Sequence, residues 1–165
     1  DYQEAVKWYR LAAAQGYAPA QSSLGLAYEK GQGVPQDYQE AVKWYRLAAA
    51  QGNESAQVNL GVMYTDGRGV RQDFVRVHMW FNLAAAALGG DSRDTATKNR
   101  DRIASKMTTE QIGTAQEMAR RCQESKFRQK SFLGRTIGVS ALLHSLCRTW
   151  ACIASMVARA ETSST

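Results

Sequence analysis

Sixteen residues, DYQEAVKWYRLAAAQG, occur twice letter for letter, at 1–16 and again at 37–52, an offset of 36 residues. A looser third copy, DFVRVHMWFNLAAAAL, begins at Asp73, another 36 residues on. Trp8, Trp44 and Trp80 mark the same place in each copy. A fixed period of about 20–50 residues constrains a chain more than its composition does, because each unit must bury its apolar face against its neighbours. The result is a stacked array, whose long surfaces serve binding more often than chemistry.

Each period divides into two helices. Asp1 and Asp37 are suitable N-caps, and Glu4 and Glu40 three residues later complete a pattern resembling a capping box. Tyr38, Ala41, Tyr45, Ala48 and Ala49 form one stripe, widened by Trp44 and Leu47, which suits a helix gripped on two sides. The Ala48-Ala49-Ala50 run admits another helix closely, and Gly52 fits the position just past a helix end. Residues 18–30 and 54–66 form the partner helix. Ala20, Leu24, Ala27 and Tyr28 share a face there, as do Ala56, Leu60, Met63 and Tyr64 one period later. Gly25 and Gly61 lie inside these helices, where glycine costs about 1 kcal/mol relative to alanine. Their recurrence suggests that the next backbone comes too close for a Cβ. Gly31-Gln-Gly33-Val34 and Gly67-Arg-Gly69-Val70 then supply a left-handed cap and a tight turn.

The pattern Ala20-x3-Leu24-Gly25-x2-Tyr28-x2-Gly31-x-Gly33-Val34-x2-Asp37-x3-Ala41-x2-Trp44-Tyr45-x2-Ala48-Ala49-x2-Gly52 resembles the Sel-one-like repeat, a relative of the tetratricopeptide repeat. The resemblance implies an all-α fold: a right-handed solenoid of antiparallel helix pairs in which the first helix of each pair lines a concave groove. It places repeats over 1–90, with a partial first unit, and capping helices over 91–124. Residues 125–165 remain as a basic tail. The third copy departs from the pattern: Arg76 stands at the place of Glu40, Met79 at that of Lys43, and Leu88 at that of Gly52. Terminal units of an array are atypical in this way. Ala96, Ile103 and Met107 form the inward side of a polar helix. Thr108-x2-Gln111 opens another by a capping box, with Ile112, Ala115, Met118, Ala119 and Cys122 as its stripe. Asp1 opens a second helix without a first, so the chain is expected to be part of a longer repeat protein.

The charge is uneven. Residues 1–124 hold 15 Lys and Arg against 14 Asp and Glu, whereas 125–165 hold 6 against 1. The near-neutral repeats carry no footprint for nucleic acid. In the tail, Val139, Leu142, Leu146, Trp150, Ile153 and Val157 follow a helical spacing, so 125–165 reads either as a basic amphipathic helix, the one place where membrane contact would fall, or as a disordered end without a role. Cys122, Cys147 and Cys152 do not recur with the period, so no disulfide staples the units.

Little in the sequence points to catalysis. Gly31-x-Gly33 lacks the third glycine and the preceding strand of a dinucleotide loop. His78 and His144 belong to no metal-ligand spacing. No serine or cysteine stands in a motif that supplies it with a base. No cofactor, metal or catalytic residue is therefore expected. A cysteine-rich branch of the resembled family suggests the alternative, a cell-envelope accessory with β-lactam-directed hydrolase activity. This chain has neither the periodic cysteines nor a Ser-x2-Lys.

Comparison between units is more informative. Residues 37–52 repeat 1–16 at all 16 positions, but 53–72 match 17–36 at only 9 of 20. The differing pairs Ser22 and Val58, Leu26 and Val62, Glu29 and Thr65 all lie opposite Leu24 or Leu60 on the helical wheel. These six residues are the expected contacts for a protein or peptide partner, in a non-catalytic adaptor.

Overall fold

The computed structural model describes residues 1–133, with side chains as far as Ser125. Seven helices and no strands occur among them. The chain divides into two compact units, Asp1–Ala119 and Arg120–Thr165. The second is described only in its first residues, which continue the seventh helix. The 139–157 stripe, His144, Cys147 and Cys152 lie outside the described residues. Among those described, no helix is long and apolar enough to cross a membrane.

The first unit is a solenoid of alternating helices: α1 (Tyr2–Ala14), α2 (Ala18–Lys30), α3 (Tyr38–Ala50), α4 (Glu54–Asp66), α5 (Phe74–Ala87) and α6 (Gly90–Ala104). Helix α7 (Thr109–Leu133) follows. Each helix packs against the one before and the one after it through α6.

Local chemistry sets most boundaries. The Asp37 carboxylate accepts from the Gln39 and Glu40 amides at 2.9 and 3.0 Å, and Asp73 accepts from Arg76 N–H at 3.0 Å. Glu40 does not close a capping box. The Asp37 N–H donates instead to the Tyr28 carbonyl at 2.9 Å, and the Glu40 carboxylate pairs with Lys43. The previous helix has taken the donor that the glutamate would have used. Among the described residues the full reciprocal box forms only at α7, where Thr108 N–H donates to Gln111 Oε1 at 2.9 Å and Gln111 N–H to Thr108 Oγ1 at 3.2 Å.

Helix α3 ends in a Schellman motif: Gly52 N–H donates to Ala49 O at 2.9 Å and Asn53 N–H to Ala48 O at 3.0 Å, with Gly52 at φ 91°. At the next unit Leu88 stands where that glycine was. It leaves the helix in an extended conformation, so α5 runs one residue longer than α3.

Tyr45, Ala48, Ala49, Leu24 and Leu60 are all fully buried. Gly25 and Gly61 serve this packing, but not as the sequence suggests. A Cβ on Gly25 would lie 2.7 Å from Cδ1 of Tyr45, and one on Gly61 would lie 2.8 Å from Cε1 of Phe81. An aromatic ring of the following helix, rather than its backbone, occupies the space that a side chain would need.

Candidate functional site

The six expected contact residues separate into distinct environments. Leu26 and Val62 are open, at 42% and 37% exposure. Ser22 is buried. Val58 is half-buried against the cluster of Ala84, Ala85 and Ala96. Lying opposite Leu24 or Leu60 does not mean facing solvent, because α2 packs on both α1 and α3, and α4 on both α3 and α5. Ser22 and Val58 therefore belong to the interior, a correction to their expected outward bearing.

Glu29 and Thr65 sit at the margin and are engaged within the fold. The Tyr45 hydroxyl donates to the Glu29 carboxylate at 2.7 Å. Burial first, then the Glu29 carboxylate, holds the Tyr45 phenol well above its ordinary range. Lys30 lies 3.4 Å from the other Glu29 oxygen. One period later tyrosine becomes Phe81 and the glutamate becomes Thr65, whose hydroxyl donates to the Gly61 carbonyl at 2.7 Å. The two changes go together, because an unmatched buried hydroxyl or carboxylate would cost more than the pair gains.

The register of the array extends further than the sequence pattern. Arg10 donates to the Tyr28 hydroxyl at 3.0 Å and Arg46 to the Tyr64 hydroxyl at 2.7 Å, each pair 18 residues apart. The next pair with that separation is Asn82 and Arg100, and here Arg100 donates to Asn82 Oδ1 at 3.2 Å. Donor and acceptor have changed helices while the contact persists. Ala96, one period beyond Leu60, is likewise buried. Helix α6 thus holds the place of a third first-helix, although its polar sequence reads as a cap. Position 98, equivalent to 26 and 62, carries an exposed lysine that the sequence comparison of two units passed over.

Leu26 and Val62 are exposed aliphatic residues at equivalent places one period apart. The other exposed large hydrophobics among the described residues, Tyr2, Trp8, Tyr9, Leu11 and Tyr17, belong to α1 and the turn after it. Among the described residues, no group of three or more His, Cys, Asp or Glu side chains is placed to hold a metal ion. His78 is buried on α5, with its Nδ1 lacking a hydrogen-bond partner among the described residues. Burial, reinforced by Arg100 and opposed by Asp101, lowers its pKa.

Comparison with known proteins agrees with this architecture. No curated protein matches the chain. A solved structure of c5321, a protective antigen present in uropathogenic Escherichia coli strains and displaying an SLR fold, is 36% identical with a TM-score of 0.68. The match covers 78% of this chain and 28% of that one. A Sel1 repeat protein from Oxalobacter formigenes is 32% identical with a TM-score of 0.56, over 73% of this chain and 50% of its own. The chain therefore spans half or less of the length of these relatives. The Sel1 repeat profile matches residues 1–17, 18–53 and 54–87, consecutive segments that break between helices. With more than half of its residues in those units and this helix-pair solenoid, the chain belongs to the Sel1 repeat family.

Proposed function

We propose that this protein is a non-catalytic adaptor that binds a partner protein or peptide on the face of α2 and α4 bearing Leu26 and Val62. Sel1 repeat proteins generally serve as interaction scaffolds, and the family supplies the class of function. The observation that carries the choice of face is the exposure of two aliphatic side chains at equivalent places one period apart. An isolated exposed leucine needs no explanation, but an apolar position that recurs in register on a scaffold surface does. Glu29 and Thr65 border this face and shape it, with their polar groups already engaged inside the fold.

The test compares the wild-type chain with the Leu26→Ser/Val62→Ser variant as bait for affinity capture, with thermal unfolding measured on both. Captured partners should fall at least tenfold on the variant, with a melting temperature within a few degrees of wild type. Val58→Ser serves as the contrasting change, since it opens the cluster around Ala84 and should lower the melting temperature. Equal capture by wild type and the double variant would reject this face.

A further inference from the structure

Two guanidinium groups converge on one phenol. Arg46 of α3 and Arg76 of α5 both donate to the hydroxyl of Tyr64, in the last turn of α4, at 2.7 and 3.0 Å. Their donor nitrogens therefore lie within 5.7 Å of each other, the most that these two distances allow. Both guanidinium carbons also stand over the Tyr64 ring, 5.8 and 5.5 Å from its centre. Tyr64 is buried and the two arginines are half-buried, so each arginine keeps an edge open to solvent. The two arginines take the lone pairs of the hydroxyl, and its own proton has no acceptor among the described residues.

The preceding unit is built differently. Among the described residues Arg10 is the one donor to the Tyr28 hydroxyl, and Glu40, paired with Lys43, holds the place that Arg76 takes. Exchanging that glutamate for arginine leaves an excess of positive charge around Tyr64. Arg76 pairs with Asp73 at 3.0 Å, which balances one guanidinium of the two. Arg46 has no carboxylate within ion-pair distance among the described residues. The other carboxylates of the neighbouring helices are engaged or distant. Glu29 is held by Tyr45 and Lys30, Asp37 caps α3, and Asp66 pairs with Arg68 at 3.3 Å. Glu54 opens α4 ten residues before Tyr64, about 15 Å away along the helix.

We propose that Arg46, Arg76 and the Tyr64 hydroxyl form a binding site for a carboxylate group. Charge-assisted hydrogen bonds from nitrogen run about 2.7–2.9 Å, so one carboxylate bridges two donor nitrogens as close as these. The Tyr64 proton supplies a third donor beside them. A monoanion balances the one positive charge in excess, whereas sulfate or another dianion overshoots it and leaves an uncompensated negative charge against a buried ring. An aspartate or glutamate side chain and a free organic acid share this chemistry. The site stands independently of the adaptor reading, because Tyr64 lies two residues from Val62 and so about 200° round α4 from it.

Titration of acetate into the nitrogen-labelled full chain tests this, read at the arginine Nε–Hε resonances, with chloride at equal ionic strength as the blank. Arg46 and Arg76 should shift with saturation, while Arg10, whose tyrosine receives a single arginine, should move no more than in chloride. Sulfate should reach half-saturation only at a higher concentration than acetate. Arg76→Glu, which restores the residue of the preceding unit, should abolish saturation at Arg46. Tyr64→Phe, which keeps both charges, should weaken acetate by about tenfold, the worth of one hydrogen bond to a charged group. A blocked tripeptide with one central aspartate, run beside acetate, assigns the carboxylate to a polypeptide if it saturates first and to a free organic acid if acetate does. Linear shifts alike on Arg10, Arg46 and Arg76, or saturation at Arg46 that survives Arg76→Glu, overturn the site. Tighter binding of sulfate than of acetate overturns the carboxylate assignment.

Discussion

Gly25 and Tyr45 divide one space between them: the ring lies where a Cβ would stand, and its hydroxyl goes on to Glu29. Alanine at position 25 favours the helix by about 1 kcal/mol, while overpacking costs about 1–3 kcal/mol, so the steric effect decides the sign. Gly25→Ala should lower the thermal midpoint. Gly113→Ala, where no heavy atom lies within 4 Å, should raise it. A stabilising Gly25→Ala would mean that the ring moves aside freely. A second residue-level contrast lies in the glutamines. Buried Gln21 donates to Ala13 O at 3.2 Å and accepts from Gln51 at 2.8 Å. Its equivalent Gln57 still donates, to Ala49 O at 3.4 Å, but its Oε1 has no partner among the described residues. The donor's place, one period beyond Gln51, is Ala87. Ala87→Gln should restore that bond and add about 0.5–1.5 kcal/mol in denaturant unfolding. No gain would mean that the Gln57 oxygen is already satisfied by solvent.

At the scale of the element, α5 differs most from its predecessors, and His78 is its titratable weak point. The residue occupies the place of Val42, and its folded pKa lies below the ordinary 6.5. As pH falls through about 6.5 the unfolded chain takes up a proton that the folded one refuses. Stability is therefore complete above that pH and declines below it, towards the depressed folded pKa. His78→Val should flatten the decline between pH 7 and pH 5 in urea unfolding; parallel curves for the two proteins would contradict the assignment. Boundaries of elements were largely readable in the sequence, because Asp37, Asp73, Gly31 and Gly67 act on their own neighbours in the chain. The fate of Glu40 was not, since its intended donor is claimed by the Tyr28 carbonyl of another helix. Helix α6 was disguised for a similar reason. Its place in the register is a matter of the Asn82–Arg100 contact, which an inverted donor and acceptor hides from sequence comparison.

For the whole molecule, the period made the solenoid legible, because an array built of near-identical units can bury Tyr45, Leu24 and Leu60 only by stacking them. The binding face was legible only in part. One helical wheel separates the Leu24 side from its opposite, but it does not reveal that a helix in a stack is held from two directions. Ser22 and Val58 were thereby placed outside, whereas Leu26 and Val62 are in fact open. The central claim is that the face of α2 and α4 bearing Leu26 and Val62 receives the partner. Titration of a partner captured by the wild-type chain into isotopically labelled chain, followed by amide and methyl chemical shifts, tests it most directly. The account predicts saturable shifts centred on Leu26 and Val62, with Trp8 and Leu11 of α1 unaffected. Shifts centred on α1, with Leu26 and Val62 silent, would contradict it.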